Sequence, residues 1–210
     1  QGYLTLGVGK ITHGYSAKLA FDSYGGKFAG SGPKPDKGKR FNYFLPDVPW
    51  TGTQTDWGAF PEKDEDMTDH KAADWAVERL AEKNKKPFFL AVGFRKPHLP
   101  FCAPQKYWDL YDRAMIPLPV SRKHPVKAPE LATRSWQELE GYTDIPKNGQ
   151  LSIAQVRELR HGYYACVSYA DAMVGRLLNE LKKLALDDNT VVVLWGDHGF
   201  HLGEQGLWTK

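Results

Sequence analysis

The stretch from Ser152 to Trp195 constrains the fold more than any other part of the chain. Val156, Leu159, Tyr163, Val167, Val174, Leu177, Leu178, Leu181 and Leu184 recur at the three- and four-residue spacing that lines one face of a helix with apolar side chains. Ser152 stands where an N-cap is needed, and Asp187-Asp188-Asn189 ends the pattern. The run that follows, Thr190-Val191-Val192-Val193-Leu194-Trp195, carries no charge and reads as a strand buried on both faces. A helix running straight into such a strand is half of a βαβ unit. It predicts a sheet that is mostly parallel, with helices packed on its faces.

The same signature recurs upstream. Thr68 is placed to cap a helix from Asp69 to about Lys83, with Ala73, Ala76, Val77 and Leu80 on one face. Pro87 then opens Phe88-Phe89-Leu90-Ala91-Val92-Gly93-Phe94, a continuous apolar run of strand length. Tyr3 to Val8 alternates and stops at Gly9-Lys10, as a short strand feeding a loop does. Between these elements, Gly14 to Phe60 reads as a long covering loop, and residues 101–150 are proline-rich with a short helix from Gln105 to Tyr111. The fold class is therefore α/β. Three strands are few for a doubly wound sheet, so the chain is expected to be an interior piece of a larger domain.

Composition narrows the function classes. Of 210 residues, 41 % are hydrophobic and 25 % charged, which fits a globular chain and excludes wholesale disorder. The net charge is +3, and acidic clusters such as Asp64-Glu65-Asp66 interleave with the lysines. Nucleic-acid binders carry a one-sided basic stripe, so no nucleic-acid partner is expected. No apolar run reaches the roughly 18 residues of a membrane span, and Gln1 opens no signal-peptide pattern. Cys102 and Cys166 allow at most one disulfide and form no zinc spacing.

In open α/β sheets, ligands sit beyond the carboxyl ends of the strands. Those ends here deliver Lys10 and His13, then Lys96 and His98, then Asp197, His198, His201 and Glu204. Taken singly, each has a structural reading. A strand-end histidine is commonly just hydrogen-bonded, Lys96-Pro97 suits a loop, and Asp197-His198-Gly199 suits a turn. Gly7-Val8-Gly9-Lys10 lacks the spacing of a phosphate-binding loop. Their shared position is what matters, and Lys10, His13, His98, Asp197 and His198 are expected to converge on one pocket. Lysines and histidines aimed at one point stabilise a transferring oxyanion, and a carboxylate corner can hold a hard cation.

At these residues the chain resembles the sulfatase family of the alkaline phosphatase superfamily, most of all the iduronate-2-sulfatase branch. The resemblance rests on Gly9-Lys10-Ile11-Thr12-His13, Arg95-Lys96-Pro97-His98-Leu99-Pro100-Phe101, and Gly196-Asp197-His198-Gly199-Phe200-His201-Leu202-Gly203-Glu204 continuing to Leu207-Trp208-Thr209-Lys210. The helix around Ser168-Tyr169-Ala170-Asp171 is also similar. The resemblance implies that Lys10 and Lys210 contact the sulfate. His13 would assist the nucleophile, His98 would protonate the leaving oxygen, and Lys96 would sit near the substrate. Asp197 and His198 would be two ligands of a calcium ion.

It further implies a formylglycine nucleophile and more calcium ligands upstream of residue 1, making residues 1–210 a partial catalytic domain lacking N- and C-terminal regions. Cys102-Ala103-Pro104-Gln105-Lys106 mimics the modified motif but has Lys for Arg and lies after the Lys-Pro-His stretch. Cys102 is expected to be an ordinary cysteine. The implied substrate is a sulfate monoester on a sugar acid or polysaccharide, in a periplasmic, secreted or lysosomal setting. Two alternatives stay open: a phosphate or phosphonate monoester hydrolase of the same superfamily, or a binding protein that keeps the fold without catalysis.

Overall fold

The computed structural model describes residues 2–13, 17–26, 57–133 and 151–210. In chain order they form β1 (Leu4–Gly9), β2 (Ser23–Tyr24), β3 (Trp57–Ala59), helix α1 (Thr68–Ala81), β4 (Phe88–Gly93), β5 (Phe101–Ala103), the single turn α2 (Gln105–Trp108), the long helix α3 (Ile153–Lys183), and a hairpin of β6 (His201–Leu202) and β7 (Trp208–Thr209). β1 pairs in parallel with β2 on one side and β4 on the other, with Leu4 opposite Phe88 and Gly9 opposite Gly93. β3 and β5 are also parallel, and the antiparallel pair among the described residues is β6–β7. The α/β, mostly parallel reading of the sequence holds.

Helix α3 starts in a reciprocal capping box. Ser152 Oγ accepts from the Gln155 N–H at 3.2 Å, and Gln155 Oε1 accepts from the Ser152 N–H at 2.8 Å. Its buried line runs through Leu159, Cys166 and Met173, against Trp57, Phe101, Trp108 and Trp208 in the main core. Val167 and Leu178, which share the apolar spacing, fall at the rim of that line and stay exposed. Helix α1 packs Ala72 and Ala76 on Val8 of β1, beside Leu90, Val92 and Leu177. The small alanines let the helix lie close to the sheet, and Arg176 of α3 binds Asp74 of α1 at 2.5 Å.

Several expectations are corrected. Thr68 lies inside α1, whose N-cap is Met67 with no side-chain cap bond. The helix after Pro104 ends at Trp108, short of Tyr111. β4 forms where predicted, but it is not buried on both faces: Phe89 is 56 % exposed, because α1 and α3 cover the face that carries Leu90 and Val92. Thr190–Trp195 is neither buried nor a strand. Val191 is 90 % and Trp195 75 % exposed, since no described residue offers that backbone a neighbouring strand or either face a covering layer. Of the long loop from Gly14 to Phe60, residues 14–16 and 27–56 lie outside the described residues, while the remainder supplies β2 and β3. β3 and β5 are three residues each, too short to carry a readable alternation.

Candidate active site

The site begins where β1 and β4 end together. Gly9 has φ +81°, and a Cβ there would stand 2.1 Å from the Gly93 carbonyl oxygen; one on Gly93 would stand 2.1 Å from the Lys10 carbonyl oxygen. Only glycine fits so close a crossing. The Lys10 N–H then donates to Gly93 O at 2.8 Å, which sets Lys10 beside the loop leaving β4.

That loop is fixed from beneath. Asp69, in the first turn of α1, accepts from the Arg95 N–H and the Lys96 N–H, one on each carboxylate oxygen, both at 2.9 Å. Burial raises the pKa of Asp69 above the usual carboxylate value, although those two backbone donors and the Lys96 charge favour the anion. Asp69→Asn keeps the shape but offers one acceptor for two donors. We expect it to cost about 1–3 kcal/mol of stability, read as a lowered Tm of the full-length protein, because a buried N–H is left unmet. An unchanged Tm would show that water or another group serves that N–H.

Two groupings of predicted residues appear above this base. Lys10 Nζ lies 3.3 Å from Asp197 Oδ2, and His198 Nε2 lies 3.7 Å from the same oxygen. Partial burial acts to raise the Asp197 pKa, but the Lys10 hydrogen bond and the charges of Lys10 and His198 together hold it below its ordinary value. Any stability the pair contributes is therefore full above the ordinary Asp range and is lost as pH falls through the depressed value. With the Asp197 side chain 67 % exposed, solvent screening keeps that contribution small. The second grouping is His98 and Lys210, whose Nζ donates to His98 Nε2 at 3.3 Å.

Both histidines are oriented alike. His98 Nδ1 lies 2.9 Å from Leu99 O, and His198 Nδ1 lies 2.9 Å from Gly199 O. A carbonyl can only accept, so each Nδ1 carries the hydrogen, and each ring when neutral presents its Nε2 lone pair. Phe200 joins the two groupings, two residues beyond His198 and edge-on to His98 at 6.3 Å between ring centroids. The other two predicted residues stand apart from these contacts. His13 is exposed just past Lys10. Lys96 is buried, and its ammonium donates to Pro100 O at 2.5 Å.

Asp197 and His198 suit one corner of a metal site: an accessible carboxylate next to an imidazole Nε2 whose Nδ1–H is anchored by a carbonyl. They do not complete one. Calcium takes six to eight oxygen ligands, and among the described residues no group of three potential metal-binding side chains occurs. The cysteines add nothing to the chemistry. Both are buried, and burial pushes the Cys166 thiol up to about 11. Arg160 and Asp69, which hold the site's loops, escaped sequence reasoning, for their partners lie far away in sequence and no local pattern marks them.

A family model described as Sulfatase matches residues 1–210. The chain is 38 % identical over its whole length to a sulfatase of Formosa agariphila, covering 42 % of that protein. It is 33 % identical, again over its whole length, to human iduronate 2-sulfatase, covering 40 % of it. It thus spans about two fifths of the length of these curated relatives. The phosphonate monoester hydrolase SpPMH from Silicibacter pomeroyi shares the fold, with a TM-score of 0.63 at 18 % identity over 99 % of this chain and 47 % of that one.

Proposed function

This chain belongs to the sulfatase family, and from that premise we propose that residues 1–210 are part of the catalytic domain of a sulfuric ester hydrolase acting on a sulfated sugar acid or polysaccharide. The observation that carries the reading is the pair of cation-rich groupings at one strand-end edge, Lys10–Asp197–His198 and Lys210–His98.

Each residue then has a task. The Lys10 and Lys210 ammonium groups bind the sulfate and counter the charge that builds on its oxygens in the transition state. His13, three residues further on, helps deprotonate the nucleophile, which is supplied from outside the described residues. Asp197 and His198 would help hold a divalent cation, which we take to be calcium and which, when bound, polarises a sulfate oxygen. His98 protonates the departing alcohol oxygen. In this structure the Lys210 ammonium stands against His98 Nε2, the nitrogen that would deliver this proton. Lys96 lies beneath the substrate side of the loop and steadies it through Pro100 O. Identity to iduronate 2-sulfatase supports the sulfated-sugar assignment.

The test is to assay the full-length protein on an aryl sulfate and on a phosphonate monoester, before and after chelation. We expect hydrolysis of the sulfate ester, loss on chelation and recovery with calcium. A clear preference for the phosphonate ester would transfer the site to that chemistry. Inactivity on both would leave a binding protein on this fold.

A further inference from the structure

We propose that Arg160 of α3, through its ion pair with Glu204, is the positioning residue that sets Lys210 against His98. The proposal rests on the sulfate-binding role given to Lys210 above, and adds the part of the molecule that places it.

Arg160 is buried on α3, and one of its guanidinium nitrogens donates twice: to the Leu202 carbonyl at 2.9 Å and to Glu204 Oε1 at 2.7 Å. The other Glu204 oxygen accepts from the Leu202 N–H at 2.6 Å. The guanidinium and the carboxylate thus grip both backbone groups of Leu202. That residue faces Trp208 across the hairpin, as His201 faces Thr209, and Lys210 follows at once. Trp208 and Thr209 are buried, so the strand bearing Lys210 cannot shift without moving the core. The turn between the strands closes through the Gly203 N–H to Leu207 O at 2.8 Å, with Gly203 at φ +97°. One helical turn beyond Arg160, Tyr163 stacks on Phe200 at 5.6 Å, and Phe200 touches His98. Two adjacent rungs of α3 therefore align both partners of the Lys210–His98 contact.

The Glu204 carboxyl supports the picture. Burial alone would raise its pKa, but the Leu202 N–H and Arg160 bring it below its ordinary value, so the pair is ionised at neutral pH. Arg157, on the same helix, offers a comparison, since its guanidinium donates instead to Ile116 O at 3.3 Å.

The experiment uses the full-length protein with Arg160→Met, Glu204→Gln, Lys210→Met, the double variant Arg160→Met/Lys210→Met, and Arg157→Met. Melting temperature, KM and kcat on an aryl sulfate, and binding of inorganic sulfate are measured for each. Arg160→Met is expected to raise KM and weaken sulfate binding about tenfold. Glu204→Gln, nearly isosteric, should do the same to a smaller extent, and it carries the test if Arg160→Met does not fold. The double variant should be no worse than Lys210→Met alone, because residues acting through one group do not add. Arg157→Met should leave sulfate binding unchanged, whatever it does to Tm. Multiplicative losses in the double variant, or sulfate binding by Arg160→Met or Glu204→Gln equal to wild type, would overturn the proposal. A wild-type protein inert on sulfate esters whose sulfate binding still falls in Arg160→Met would remove the proposed activity and keep this inference. Wild-type protein that fails to bind sulfate would overturn both.

Discussion

His98→Ala in the full-length protein is expected to lower kcat on an alkyl sulfate ester by about 10²–10⁴-fold, the usual contribution of a positioned general acid. A nitrophenyl sulfate should lose far less, because its phenolate departs without a proton. This contrast separates chemistry from architecture. His98 also packs against Phe200 and bonds Leu99 O, so its loss could disturb the site for structural reasons, but such damage would fall equally on both substrates. Equal losses would therefore take the proton-donor role away from His98.

The largest stability effect should come from Gly9→Ala or Gly93→Ala. Each new Cβ would stand 2.1 Å from a carbonyl oxygen of the neighbouring strand end, and at Gly9 the φ of +81° adds backbone strain. Forcing a methyl into a closed space costs about 1–3 kcal/mol, and a left-handed conformation adds about 1–2 kcal/mol for a residue with a side chain. Gly175, inside α3 with nothing within 4 Å of its would-be Cβ, is the control. Gly175→Ala should stabilise by about 0.5–1 kcal/mol through helix propensity. Thermal melts of the three variants would show the ordering, and a tolerated alanine at Gly9 would mean that the β1–β4 crossing opens readily.

What could be read from the chain follows the range of the forces involved. The periodicity of α3, the Ser152 cap and the apolar run of β4 are local, and each appears where the sequence puts it. The strand-end rule points to Lys10, His98 and Asp197; in the structure Lys10 meets Asp197 and His98 meets Lys210, although the run that precedes Asp197 is not a strand. Two things were not legible. Burial of Phe89 and of Thr190–Trp195 was inferred from apolar composition, which records what a strand needs in its complete sheet and not which layers the described residues provide. The grips of Asp69 on the 95–96 backbone and of Arg160 on the hairpin join residues 26 to 44 positions apart. A single polar residue on a helix gives no hint of so distant a partner.

The exposed run Val191–Trp195 bears on how this polypeptide behaves in the test tube. Uncharged, free of proline and rich in β-branched residues, it has the makeup of segments that stack into intermolecular cross-β ladders. Its flanks are acidic, with Asp187 and Asp188 before it and Asp197 after it, the arrangement by which natural chains keep sticky segments apart. Asp197 stands at one flank of this run as well as against Lys10. When only these 210 residues are expressed, insoluble aggregates should form more readily in Asp197→Ala than in the parent chain, a cost that has nothing to do with catalysis.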